Sequence, residues 1–257
     1  MLAYEDTGVG VAVVLLHAFP VHRGMWAGVR TAVGDDVRLI TPDLPGFGQS
    51  PAAAGEPSLD AYVDEVAALL DAIRVKKAVV GGLSMGGYVA LAFARRHPGR
   101  LLGMILADTK ASADAPAAAD NRRRIASVLT QERSPRVLVE ESLPNLLGAT
   151  TKTARAEVVA RVRSDVELVN PDAAAWAQLA MAARVDTFDV LRGLAAPVSV
   201  IVGDEDVITP PSDANAMVAA TDGRAVLTVI PRAGHLSAVE DPAAFAAAVL
   251  AFAAPLP

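Results

Sequence analysis

One short turn restricts this chain more than any other feature. Gly82-Leu83-Ser84-Met85-Gly86 follows an apolar run at 77–80 and opens a helical stretch at 85–96. Strand, G-x-S-x-G, helix is the order of a nucleophile elbow, a turn so sharp that its serine takes a strained backbone conformation. Strand and helix approach this closely only if the flanking positions are small, and Gly81, Gly82, Gly86 and Gly87 supply that room. The Ser84 hydroxyl is then presented at the carboxyl end of a strand, where open α/β sheets bind ligands. The helix start behind it favours developing negative charge. A glycine-rich turn without chemistry is the competing explanation, and the strand before the motif and the helix after it weigh against that.

Other short runs, at 11–16, 37–41, 101–106, 198–202 and 226–230, are near-continuously apolar and rich in β-branched residues. That is the pattern of parallel strands covered on both faces. Helical stretches lie between them. One runs over 58–73, where Ser58 can cap the start and Asp60 complements the dipole. The stretch at 85–96 is closed by His97-Pro98-Gly99, and a last one over 242–252 has Asp241 as cap and Pro242 at its first position. The alternation predicts an α/β fold with a mostly parallel central sheet flanked by helices. It stops between 111 and 185, where the pattern is helical throughout. We therefore expect residues 1–110 as the first part of an α/β core, 111–185 as a helical insertion, and 186–257 as the second part. The arginines of the insertion (Arg122, Arg123, Arg124, Arg133, Arg136) are expected on a solvated helix face.

Composition removes several alternatives. A chain of 257 residues that is 53% hydrophobic can bury one large core. A net charge of −6 offers no concentrated basic surface, so no nucleic-acid partner is expected. There is no cysteine, which excludes disulfides and thiolate chemistry. The apolar runs fall short of the roughly 20 residues that span a bilayer, so no membrane partner is expected. The first residues, Met1 to Asp6, lack the basic start and apolar stretch of a secretion signal. A cytoplasmic location is the expectation, and no pattern fixes an oligomeric state.

A serine hydroxyl needs a base, and the chain has 4 histidines. His97 sits at a helix end, and His22 falls in a polar loop with no evident partner. His235 follows the late run at 226–230, on the carboxyl side of the sheet where the base must be. The base in turn needs a carboxylate to fix its tautomer. Asp204, Glu205 and Asp206 follow the run at 198–202. Asp206 is preferred, because Asp204 and Glu205 lie nearer the strand end and can serve as turn or cap groups. Asp108, after the run at 101–106, is the alternative acid. An oxyanion requires two backbone N–H donors. Met85 follows the nucleophile, and Phe19 lies in the loop His17-Ala18-Phe19-Pro20 after the first run. His17 is read as a residue that fixes this loop rather than as a general base, and His17, Trp26 and Trp176 are also candidates to line the substrate pocket.

His17 to Pro20, Asp43-Leu44-Pro45-Gly46-Phe47-Gly48-Gln49-Ser50, Gly82 to Gly87, Gly203 to Asp206 with Pro210, and Gly234-His235 together resemble the successive signatures of the α/β-hydrolase superfamily. The resemblance runs from about residue 10 to 255 and is weakest across the insertion. It implies Ser84, Asp206 and His235 as a triad, Phe19 and Met85 as oxyanion donors, and 111–185 as a cap over the site. His17-Ala18 stands where the superfamily usually has His-Gly. Asp43 to Ser50 is expected to be a structural turn. A serine at the elbow argues against the haloalkane dehalogenase and epoxide hydrolase branches, which use aspartate there. The chain looks most similar to esterases, enol-lactone hydrolases and cofactor-free perhydrolases. The expected activity is hydrolysis of a small carboxylic ester or lactone through an acyl-enzyme, with no metal or organic cofactor. C–C bond hydrolysis and perhydrolysis would use the same triad, and a slow-turnover ligand receptor would keep it intact.

Overall fold

A computed structural model of the chain describes residues 1–256. Its centre is a 7-stranded sheet in the order β1-β3-β2-β4-β5-β6-β7. The strands are β1 (Tyr4–Thr7), β2 (Ala12–Leu16), β3 (Arg38–Pro42), β4 (Ala78–Leu83), β5 (Leu101–Ala107), β6 (Val198–Gly203) and β7 (Val226–Ile230). All neighbours are parallel except β1, which pairs antiparallel with β3 from Tyr4↔Pro42 to Thr7↔Leu39. The sequence pattern does not mark β1, because Tyr-Glu-Asp-Thr is short and polar, as a strand at a sheet edge can be. At the opposite edge β7 departs from the expectation of burial on both faces: Val226 and Val229 are exposed. An outermost strand has one neighbour, and its outer margin lies beyond the covering helices.

Crossover helices flank the sheet: α1 (Ala27–Val33), α2 (Leu59–Ala72) and α3 (Met85–Arg96) come before β5. Ser58 Oγ accepts the Asp60 N–H at the start of α2, as its position predicts. Between β5 and β6 lie α4 (Pro116–Glu132), a π-type turn over Leu138–Ser142, α5 (Leu143–Leu146), α6 (Ala149–Ala154), α7 (Ala156–Glu167), α8 (Pro171–Ala182) and α9 (Phe188–Gly193). α10 (Pro211–Ala220), α11 (Ser237–Glu240) and α12 (Pro242–Ala253) complete the chain. Asp241 Oδ1 accepts the Ala244 N–H and caps α12. α1 packs against α12, while α3 packs against α2 and across β2, β4 and β5. In the helical segment α4 lies along α8, burying Ile125, Leu129, Ala177 and Met181. Among the described residues no helix is long and apolar enough to cross a membrane.

The Asp43–Ser50 turn is structural. The buried Asp43 carboxylate accepts the Arg23 N–H at 2.8 Å and the Gln49 N–H at 2.9 Å, and it also pairs with the Arg23 guanidinium. Ser50 Oγ donates to Asp43 O and accepts the Ala3 N–H. This turn therefore ties β3 to the chain before β1.

Candidate active site

Ser84 is the hinge between β4 and α3. Its φ of 56° and ψ of −113° fall in a region a side chain rarely adopts. The turn is held on both sides: Ser84 N–H donates to Ala107 O at 2.9 Å, and Ser84 O accepts from Gly87 N–H and from the Thr109 hydroxyl, also at 2.9 Å. A Cβ on Gly82 would meet the backbone of Gly86, and one on Gly86 would meet the carbonyls of Leu16 and His17. Close approach of α3 to β4 and to the end of β2 thus requires glycine at both positions. Gly86→Ala should cost about 2 kcal/mol, as an overpacked buried contact does. Chemical denaturation would show this as a lowered midpoint, and an unchanged midpoint would contradict the packing argument.

The two loops expected to serve Ser84 converge on it. His235 Nε2 lies 2.8 Å from Ser84 Oγ, and its Nδ1 lies 2.9 Å from Asp206 Oδ2. Ser84 is 8% exposed, while His235 and Asp206 are more deeply buried. Asp206 is oriented by its own loop. Oδ1 accepts the N–H groups of Ile208 (2.8 Å) and Thr209 (3.0 Å), and Oδ2 accepts the Thr209 hydroxyl at 2.7 Å. Burial pushes the Asp206 pKa up, but His235 and the Thr209 donors outweigh it and hold the carboxyl below its ordinary value. Thr209 is a supporting residue that the sequence reading missed. Its position three residues after an aspartate is the spacing of a local side-chain turn, a signal that could have found it.

The other carboxylates take distinct places. Asp204 Oδ1 accepts the Arg232 N–H at 2.6 Å, and Glu205 accepts the Thr150 N–H at 2.8 Å. Neither bonds His235. Asp108 is buried behind the site, where Oδ1 accepts the Gly203 N–H at 2.8 Å and Oδ2 accepts the Ser237 hydroxyl. Burial, reinforced by nearby Asp206, pushes the Asp108 pKa well up.

Among the described residues, neither the Phe19 N–H nor the Met85 N–H donates to a protein acceptor. The contact between Gly86 and the Leu16–His17 carbonyls brings the start of α3 against the loop that carries Phe19.

A cavity of ≈ 250 Å³ opens over Ser84 and His235. Phe19, Tyr88 and Ile208 wall it from the core, and Arg122, Ile125, Leu146 and Met181 wall it from the helical segment. Its lining corrects all three pocket candidates. His17 is buried beneath the loop, with Nδ1 donating to Ala18 O and Nε2 accepting the Leu44 N–H, both at 2.9 Å. Trp26 is fully buried against Phe245 of α12, with ring centroids 5.6 Å apart. Trp176 packs on Tyr62 of α2 at 4.8 Å and lines a separate depression beside Pro45 and Ala53. Two other expectations also change. Arg122 turns into the site cavity, whereas Arg123, Arg124, Arg133 and Arg136 are exposed. His22 is not partnerless: Nδ1 accepts the Gly24 N–H at 3.1 Å, and Nε2 lies 3.5 Å from Asp165, which raises its pKa. His97 closes α3, its ring 5.0 Å from Phe93.

His17 carries a pH signature. Burial lowers its pKa from 6.5 to about 4, and its Nε2 has no room for a proton while it accepts from Leu44. Between those values the unfolded chain binds a proton that the folded chain excludes. Stability contributed by neutral His17 is therefore complete above about pH 6.5 and falls away as pH drops toward 4, by on the order of 3 kcal/mol. Thermal midpoints taken across this window should fall more steeply for the wild type than for His17→Gln. Parallel curves would refute the assignment.

Sheet, elbow and convergent loops define an α/β hydrolase. The chain belongs to the alpha/beta hydrolase family, whose model matches residues 13–248. A pimeloyl-[acyl-carrier protein] methyl ester esterase from Nitrosomonas europaea is 30% identical over 253 residues, covering 94% of this chain and 95% of that one. The structure of a thermophilic esterase from Thermogutta terrifontis, solved with malate bound, is 41% identical with a TM-score of 0.93, covering 98% of this chain and 92% of its own. An enol-lactonase from Burkholderia xenovorans is 26% identical with a TM-score of 0.88, covering 98% and 95%.

Proposed function

We propose that this chain is a serine hydrolase that cleaves a small carboxylic ester or lactone through an acyl-enzyme, with residues 111–185 as the cap that selects the substrate. The observation that carries the reading is the unbroken Asp206–His235–Ser84 hydrogen-bond chain, at 2.9 and 2.8 Å. His235 Nε2 takes the Ser84 proton as Oγ attacks the carbonyl carbon. The free N–H groups of Phe19 and Met85 receive the oxyanion. His235 then returns the proton to the leaving alkoxide, which departs as an alcohol; in a lactone it stays tethered to the acyl group. Water gives a proton to His235 as it attacks the acyl-enzyme, and collapse of the second tetrahedral intermediate releases the acid and restores Ser84. Asp206 holds the His235 proton on Nδ1 and stabilises the imidazolium. Likeness to esterases and an enol-lactonase supports this substrate class.

A panel of esters and lactones of graded acyl length tests the reading when combined with intact-mass detection of a phosphonate adduct. We expect turnover of short members and one adduct on Ser84. No turnover across the panel, or an adduct on another residue, would overturn it.

A further inference from the structure

A second cavity lies on the other side of Tyr88. It measures ≈ 280 Å³ and is walled by Leu59 of α2, Leu91 and Ala92 of α3, Ala180 of α8 and Val185. Tyr88, itself buried, borders both this cavity and the one over Ser84. Beside these apolar walls the lining carries charged side chains, Lys110, Arg184, Arg95 and Asp60. Lys110 and Arg184 both reach Asp114, Lys110 at 3.7 Å and Arg184 at 2.7 Å. Arg122 takes the same carboxylate at 2.6 Å from the catalytic side.

Three cations therefore share one carboxylate. Asp114 and Arg184, with side chains only 3% and 4% exposed, form a bidentate pair, while Lys110 and Arg122 are 23% and 22% exposed. The buried pair is matched, and the surplus positive charge faces the two cavities, Lys110 on one and Arg122 on the other. Burial pushes the Asp114 pKa up, but Arg184 and Arg122 overcome that and hold it at about 2. The Nη groups of Arg184 also donate to Met181 O and Ser112 O, its Nε is buried without an acceptor, and its guanidinium lies 4.1 Å over the Tyr88 ring. Arg95, also on the lining, is already paired with Asp60 at 2.7 Å and adds no free charge.

We propose that this second cavity binds a small aliphatic carboxylate, its head group on Lys110 and Arg184 and its chain along Leu59, Leu91 and Val185. At roughly 30 Å³ per water-sized group, the volume suits an acid of about six to eight carbons. A head group that draws on Arg184 loosens that residue's hold on Tyr88 and on Asp114, and both contacts reach the catalytic cavity. Occupancy is thereby felt at Ser84 without competing for it. The binding site stands on its own charge and shape, whichever residue carries the hydrolysis.

Calorimetric titration of octanoate into wild type, Lys110→Gln and Ala180→Phe tests this, with turnover of a short neutral ester measured alongside. Binding should weaken about tenfold in each variant, a loss of roughly 1.4 kcal/mol, while ester turnover without octanoate stays within about twofold of wild type. In the wild type octanoate should lower kcat and leave KM unchanged. Equal affinity in all three proteins, or purely competitive inhibition, would place octanoate over Ser84 and overturn the proposal. Sulfate binding as tightly as octanoate would refute the aliphatic ligand. Should Ala180→Phe fail to fold, Lys110→Gln decides alone. Should no ester be turned over, the hydrolase reading fails while the titration still reports on the second cavity.

Discussion

Ser84→Ala should yield a folded protein whose turnover of a short p-nitrophenyl ester is lower by about four orders of magnitude or more. The substitution removes one oxygen whose protein partner is His235 Nε2, and leaves every backbone contact of the elbow in place. Alanine meets the same backbone strain at a φ of 56° that serine already accepts, so the thermal midpoint should scarcely move. Under the proposed mechanism, what survives is the contribution of the Phe19 and Met85 N–H groups and of substrate binding, which act without a nucleophile. Substrate affinity, read by inhibition with a non-hydrolysable analogue, should persist. Near-wild-type turnover by this variant would mean that the bond is broken elsewhere.

Asp206→Asn should lower kcat by about 10⁴-fold, with a smaller change in KM. The carboxylate accepts from His235 Nδ1, from the Thr209 hydroxyl and from two backbone N–H groups. An amide has one acceptor oxygen. If that oxygen keeps the backbone bonds, its NH₂ faces Nδ1, which must then give up its proton. The imidazole proton moves to Nε2, and the base can no longer take one from Ser84. Asp108→Asn is the control. Asp108 binds Gly203 N–H and the Ser237 hydroxyl rather than His235, so an amide there leaves the bond between His235 and Asp206 in place. Its turnover should fall far less than that of Asp206→Asn. The reverse order of damage would transfer the acid's role to Asp108.

Much of this architecture was legible in the chain because it is written locally. The elbow needs small residues at fixed offsets from Ser84. His235 and Asp206 each follow a compact apolar run, and parallel packing sends those runs to one edge of the sheet. Sequence reading failed where long-range contact decides. Trp26 and Trp176 are amphipathic rings whose sequence environments do not reveal which neighbour they meet, and the structure sends them to Phe245 and Tyr62. Arg122 looks like its neighbours on α4, yet it is drawn inward by Asp114, a partner outside that helix. β1 is legible only through its pairing with β3.

Glu240 ties two regions together with a single side chain. Its buried carboxylate accepts the Gly234 N–H on one oxygen and the Gly148 N–H on the other, both at 2.9 Å. Beside it, Leu236 N–H donates to Leu146 O. The loop that presents His235 is therefore laced to the helices that enclose the cavity. This has a practical meaning for attempts to transplant selectivity between relatives. Residues 111–185 are not a freely exchangeable cassette, because the stretch around Gly148 is hydrogen-bonded to the loop that carries His235. A graft that replaces α4 and α8 but keeps the native 146–151 strand of chain should change which molecules enter while leaving the proton relay in register. A graft that replaces that stretch as well would retune both at once.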